Sequence, residues 1–257
     1  MPRFGDPLFD IEGLTIIVAG GAGGLGAPLA RALAGRGARL MIADVDAGAA
    51  GRLAEELAAD GAAAAFIGLD VRDPASCAAA VAAAARRWGR LDGLLNAAGV
   101  YRIGPALELE EDAWENTIAI NLSGAFRLAR EAGRIMVAQR AGSIVTIASV
   151  SSEVANPHYA AYAASKAGVA HLTRVLALEW APYGVIVNAI GPAATPTPLA
   201  RPIFDDEGRR QAALARIPMG RFGAPEDLVG ATVFLLSAAS AFVTGQILFV
   251  DGGRTIA

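Results

Sequence analysis

The chain has 257 residues with no compositional break, a net charge of −3 and 54% hydrophobic residues. That length suits one domain with a substantial core, and the weakly acidic balance lacks the clustered basic face of a nucleic-acid binder. Much of the apolar content is alanine, in helices interrupted by Arg, Asp and Glu, and the N-terminus shows no basic region followed by an apolar core, so no membrane span or leader is predicted and a cytoplasmic protein is expected.

Residues 14–19 form a short apolar, β-branched run, read as a buried strand. It leads into Gly20-Gly-Ala-Gly-Gly-Leu-Gly26, and a helical pattern with Leu29 and Leu33 follows, ending near Gly35 and Gly37. Strand, glycine turn and helix in that order point to a dinucleotide site. Glycines let a pyrophosphate approach the backbone, and the helix N-terminus offers N–H groups and a positive dipole end. Two registers fit: Gly21, Gly23 and Gly26, or Gly20, Gly24 and Gly26. The competing reading is a flexible loop. The next strand, 39–43, ends at Asp44. A carboxylate there accepts hydrogen bonds from the adenosine ribose and repels the extra phosphate of NADP, so NAD is expected over NADP. Asp44 and Asp46 both precede a helical pattern, and Asp46 is the better N-cap.

Further strands are predicted at 64–69, 91–96, 143–148, 184–190 and 246–250, with helices at 47–60, 74–88, 110–139, 159–181 and 225–237. Alternating β and α, with apolar strands lacking strict alternation, predicts an α/β fold: a doubly wound, Rossmann-like parallel sheet of about seven strands, with its ligand at the carboxyl ends. Gly20–Gly26, Asp44, Asp70, Asn96 to Gly99 and Ser149 all fall at that edge. The lone cysteine, Cys77, excludes an internal disulfide and reads as packing; His158 and His171 lack partners at metal spacing, so no metal site is predicted.

Tyr162 and Lys166 stand four residues apart on the predicted helix 159–181, and so share a face. A cation ~4 Å from a phenol contributes about 4 kcal/mol at an effective dielectric of ~20. That is enough to bring a tyrosine from its usual ~10 to near neutrality, where it serves as an acid–base group. Ser149, thirteen residues before Tyr162, supplies a hydroxyl for a substrate oxygen. Such a pair also occurs as a mere surface contact, and Tyr159 lies on the same face.

Taken together, Ala19-Gly-Gly-Ala-Gly-Gly-Leu-Gly26, Asn96-Ala-Ala-Gly99, Asn121, Ser149, Tyr162-Ala-Ala-Ser-Lys166, Asn188-Ala-Ile-Gly-Pro192 and the segment 243–253 resemble the classical short-chain dehydrogenases/reductases over nearly the whole chain. The resemblance implies the register Gly20, Gly24, Gly26. It implies Tyr162 as general acid/base, Lys166 lowering its pKa and holding the nicotinamide ribose, Ser149 orienting the substrate oxygen, and Asn121 anchoring a proton-relaying water. Read alone, Asn121 is an interior amide bonded to backbone. Leu25 joins the glycine loop, Asp70 and Val71 contact adenine, Asn96, Ala97 and Gly99 line the cofactor cleft, and Ile190, Pro192 and Thr195 lie beside the nicotinamide. Ala19, Ala97 and Ala193 depart from the usual residues without touching the proton-transfer set.

The segment 193–217 carries Pro196, Pro198 and Pro202, which oppose a long helix, and reads as a mobile lid over the substrate. Glu153, Asn156 and His158 are expected to face the substrate and suit a polyol, sugar acid or cyclic alcohol, whereas Arg209 and Arg210 suit a carboxylate or carrier phosphate. The implied function is hydride transfer between a small-molecule secondary alcohol or ketone and NAD, in a homotetramer. The alternatives are a 3-oxoacyl ketoreductase and a non-catalytic NAD-binding redox sensor.

Overall fold

The computed structural model describes residues 7–257; residues 1–6, on which part of the leader reading rests, lie outside the described residues. Seven parallel strands form one sheet: β1 (Thr15–Ala19), β2 (Arg39–Asp44), β3 (Ala64–Gly68), β4 (Gly93–Asn96), β5 (Gly142–Ile147), β6 (Val185–Pro192) and β7 (Ile247–Val250). Their order is β3-β2-β1-β4-β5-β6-β7. The chain starts in the middle, winds out to β3, then returns to pair β4 on the other side of β1. That reversal opens a crevice at the carboxyl ends of β1 and β4.

Helices cover both faces: α1 (Gly26–Ala34), α2 (Ala47–Ala59), α3 (Pro74–Trp88), α4 (Glu111–Ile118), α5 (Gly124–Gln139), α6 (Ala160–Trp180), α7 (Arg201–Phe204), α8 (Glu207–Leu214) and α9 (Val229–Leu236). Alternate strand residues feed two separate cores. Ile16, Val18, Leu40 and Ile42 pack with α1, α2 and α9, while Ile17, Ala19, Met41 and Ala43 pack with α3 and α5. Each fully buried Leu or Ile in such a core contributes roughly 1.5–3 kcal/mol. Local chemistry sets the element ends. Asp46 accepts from the Ala49 N–H at the start of α2, and Asp73 from the Ala75 N–H at the start of α3. Gly89, at φ 77°, stops α3 in the left-handed conformation.

Two predicted helices differ from the structure. Residues 110–139 are not one α-helix: α4 and α5 flank a π-helical turn, Ala119–Ser123. A 3.6-residue pattern does not reveal one inserted residue, and π turns concentrate at functional sites. The helix predicted at 225–237 starts as a 3₁₀ turn, Pro225–Leu228, before α9 begins. Segment 193–217, expected to avoid a long helix, does so: it holds a 3₁₀ turn and the short helices α7 and α8.

Candidate active site

The glycine turn joins β1 to α1 by close backbone contact. Gly20 has φ 67°, and a Cβ there would lie 2.6 Å from the Ala98 nitrogen; a Cβ on Gly24 would lie 2.7 Å from Thr197. A Cβ on Gly26 would collide with the Gly20 carbonyl oxygen. Gly23 is less constrained, with its nearest neighbour 3.2 Å away. Sterics therefore weigh on Gly20, Gly24 and Gly26 more than on Gly23. Leu25 caps α1 without a side-chain hydrogen bond, and the N–H groups of Gly24 and Leu25 find no acceptor among the described residues. Such donors at a helix start suit phosphate oxygens. Asp44 reaches this turn: Oδ2 accepts from Ala22 N at 3.0 Å, and Oδ1 accepts from Asp46 N at 3.1 Å. Asp46 caps α2, which leaves Asp44 at the crevice.

At the other end of the crevice lies a cavity of about 400 Å³, lined by Ser149, Tyr162 and Lys166 together with Leu25, Ala97, Gly99, Pro192 and Thr195. Ser149 follows β5 in extended backbone and accepts a hydrogen bond from Ser151 N at 3.1 Å. Burial pushes the Tyr162 phenol up to about 12, against a smaller opposing pull from the neighbouring Ser149 hydroxyl. Lys166 is buried; its Nζ donates to the Ile147 carbonyl at 2.7 Å and lies 5.7 Å from the centre of the Tyr162 ring. Desolvation pushes this ammonium down to about 8. The expected cation-lowered phenol is thus not what the site holds. Lys166 gives its hydrogen bond to a carbonyl rather than to the phenol, and burial outweighs any charge effect on Tyr162. Tyr101 packs edge-on against both Tyr162 and Tyr159, with its own hydroxyl buried.

Asn121 enters from the π turn. Its Oδ1 accepts from Val100 N at 2.8 Å, and its Nδ2 donates to Val100 O at 3.0 Å and Ser165 Oγ at 3.1 Å. It does hold backbone, as an interior amide would. It also stands beside Lys166: a Cβ on Gly99 would fall 3.3 Å from Asn121 Oδ1 and 3.8 Å from Lys166 Nζ. Asn121→Ala strands buried polar groups at about 1–3 kcal/mol each. For a chain of this size that is expected to lower Tm by roughly 5–10 °C, which scanning calorimetry checks.

The remaining expected residues divide between the cavity wall and other parts of the fold. The Asp70 carboxylate pairs with Arg72 at 2.7 Å, and the Val71 carbonyl accepts from Arg127 at 3.2 Å; neither lines the cavity. Asn96 is buried and accepts from Ala98 N at 3.2 Å, fixing the turn that meets Gly20. Ile190 does not reach the cavity: its side chain is fully buried in the core on the α1 side, and Pro192, two residues on, lines the wall. Glu153 is exposed and turns away to Arg174, 3.6 Å off, so only Asn156 and His158 of that trio line the cavity. Arg209 lines it, whereas Arg210 pairs with Glu207 at 2.8 Å. Sequence reasoning passed over Tyr101, Thr197, Arg216 and Arg254, all in the cavity wall. Only folding, not spacing, brings them there.

Known proteins share this chain's fold and much of its sequence. Residues 20–255 match a family model described as enoyl-(acyl carrier protein) reductase. The chain is 43% identical to D-threitol dehydrogenase of Mycolicibacterium smegmatis, over 96% of this chain and 95% of that protein. It is 41% identical to galactitol 2-dehydrogenase (L-tagatose-forming) of Cereibacter sphaeroides, over 97% and 98% respectively. The crystal structure of a gluconate 5-dehydrogenase from Burkholderia cenocepacia, in complex with NADP and tartrate, superposes with a TM-score of 0.94 at 39% identity, covering 98% of each chain. A fold shared over nearly the full length, at such identities, places the chain in the classical short-chain dehydrogenase/reductase family.

Proposed function

We propose that this oxidoreductase moves hydride between a nicotinamide dinucleotide and the secondary alcohol of a polyhydroxylated small molecule. The observation that carries this reading is the meeting of Ser149, Tyr162 and Lys166 in one cavity that opens toward the glycine turn. Ser149 holds the substrate oxygen, and Tyr162 takes the alcohol proton or returns it to the carbonyl. Lys166 supplies the adjacent positive charge, and Asn121 supports a water in the space before Gly99 that passes the proton outward. A bound nicotinamide supplies the hydride acceptor or donor. Tyr101, Asn156 and His158 add polar groups in the cavity wall suited to further hydroxyls. Polyol- and sugar-acid-acting relatives support that substrate class.

NAD is the proposed coenzyme, because the Asp44 carboxylate sits where an added 2′-phosphate would meet like charge. The Burkholderia relative was solved with NADP, so the NAD proposal rests on Asp44 of this chain and not on the fold. Segment 193–217 is the proposed lid, and a homotetramer in the cytoplasm the proposed setting. A panel of alditols and aldonates assayed with NAD and with NADP tests the reading. Asp44→Ala is expected to reduce the NAD/NADP ratio of kcat/KM by roughly tenfold, through loss of about one charged hydrogen-bond partner. A parent enzyme that already favours NADP would overturn the NAD assignment.

A further inference from the structure

We propose that the cavity takes its substrate as an anion, with Arg254 and Arg216 holding the carboxylate of a polyhydroxy acid away from the carbon that reacts at Tyr162. This rests on the dehydrogenase reading above and narrows its substrate class.

The cavity wall is electrostatically one-sided. Among the described residues it contains Lys166, Arg209, Arg216 and Arg254, and neither Asp nor Glu. Arg254 is the telling member. It follows β7 and is only 9% exposed. Among the described residues it forms no ion pair, and its guanidinium makes one side-chain hydrogen bond, to Asn156 Oδ1 at 3.2 Å. The same oxygen accepts from Arg216 Nη1 at 2.9 Å. Two guanidinium groups therefore share one neutral acceptor.

Four arginines elsewhere are paired instead. Arg31, Arg72, Arg210 and Arg221 each meet a carboxylate within 2.8 Å, although all of them lie near the surface. A well-solvated guanidinium gains little from such a pair, whereas a buried one needs it most. The acid closest to Arg254 in sequence is already engaged: Asp251 accepts from Gly253 N, Thr255 N and Thr255 Oγ1. Gly252 and Gly253, at φ 61° and 89°, make the left-handed turn that precedes Arg254. Arg254 is thus positioned by a defined turn and, among the described residues, left without a counter-charge. A planar guanidinium has donors matched to the two oxygens of a carboxylate. A neutral polyol offers no such partner.

The test uses D-gluconate and its neutral counterpart D-glucitol with the full-length enzyme, the parent alongside Arg254→Gln and the charge-retaining Arg254→Lys. The parent is expected to prefer the acid in kcat/KM. Arg254→Gln should reduce the acid-to-alditol ratio by roughly 10–100-fold, mainly through KM, and Arg254→Lys should restore part of it. Calorimetric titration of D-gluconate, in the presence of reduced coenzyme, reads the same site without turnover. Gluconate binding that Arg254→Gln weakens supports the anion site even if neither compound is oxidised, in which case the dehydrogenase reading for these substrates fails alone. Equal preference for the two compounds, an unchanged ratio in Arg254→Gln, or no binding of gluconate overturns the proposal. Thermal melting of each variant separates loss of binding from loss of folding.

Discussion

Replacing Tyr162 by phenylalanine is expected to lower kcat for alcohol oxidation by roughly 10²–10⁴-fold, the usual contribution of a placed acid–base group. The change removes one oxygen and leaves the ring, so the edge-on contact with Tyr101 at 4.8 Å survives. Removing the hydroxyl beside Ser149 costs about 1 kcal/mol of stability, too little to unfold the chain. Coenzyme affinity, read by NADH fluorescence titration, should therefore stay within a few-fold of the parent. The pH profile carries a second signature. Oxidation needs the phenol deprotonated, and burial holds it neutral by pushing it up to about 12. Oxidation in the parent should thus accelerate with rising pH while carbonyl reduction slows, and Tyr162→Phe should flatten both trends. A variant that retains activity within tenfold of the parent would remove Tyr162 from the mechanism.

Gly26→Ala is expected to cost about 3–5 kcal/mol, which puts it among the few substitutions with very large effects. The added methyl would fall on the Gly20 carbonyl oxygen, with Gly21 Cα 2.9 Å away. Backbone atoms cannot swing aside as a flexible side chain can. Either α1 shifts off β1 or the turn opens, and both displace the N–H groups of Gly24 and Leu25. Tm should drop by roughly 6–20 °C, and coenzyme binding should weaken even where the variant folds. Gly230→Ala is the control: it lies in α9 with open space where its Cβ would go. That change should stabilise slightly, by roughly 0.5–1 kcal/mol, because alanine replaces glycine within a helix. Equal melting temperatures for the two variants would refute the steric account.

The parts legible in sequence are those written in local periodicity. The apolar runs became β1 to β7, and the glycine turn followed β1 where strand and helix patterns required it. Ser149, Tyr162 and Lys166 could be grouped because strand-end and helix-face rules place them at one edge of the sheet. What stayed hidden depends on depth and on distant chain. The π turn around Asn121 adds one residue without altering composition. The pairing of Asn156 with Arg216 and Arg254 spans 60 and 98 residues. Glu153 was expected to face the substrate from proximity in sequence alone, and Arg174 on α6 draws it outward instead. Lys166 shows the limit of an argument from spacing: four residues set a common face, but the Ile147 carbonyl decided where the ammonium points.

The π turn Ala119–Ser123 has a consequence for how the cavity is held to size. One surplus residue rotates everything after it by about 100° around the helix axis. A single rod can then serve two neighbours, α4 against α6 and α5 against α3 and β5, with no connecting loop between them. Asn121 stands at the point of rotation and grips both polar atoms of the Val100 backbone, so the height of that wall is gauged from a stiff axle. The wall from α7 and α8 is held differently, by Phe204 of α7 packed edge-on against Phe222 at 4.8 Å rather than by a grip on backbone.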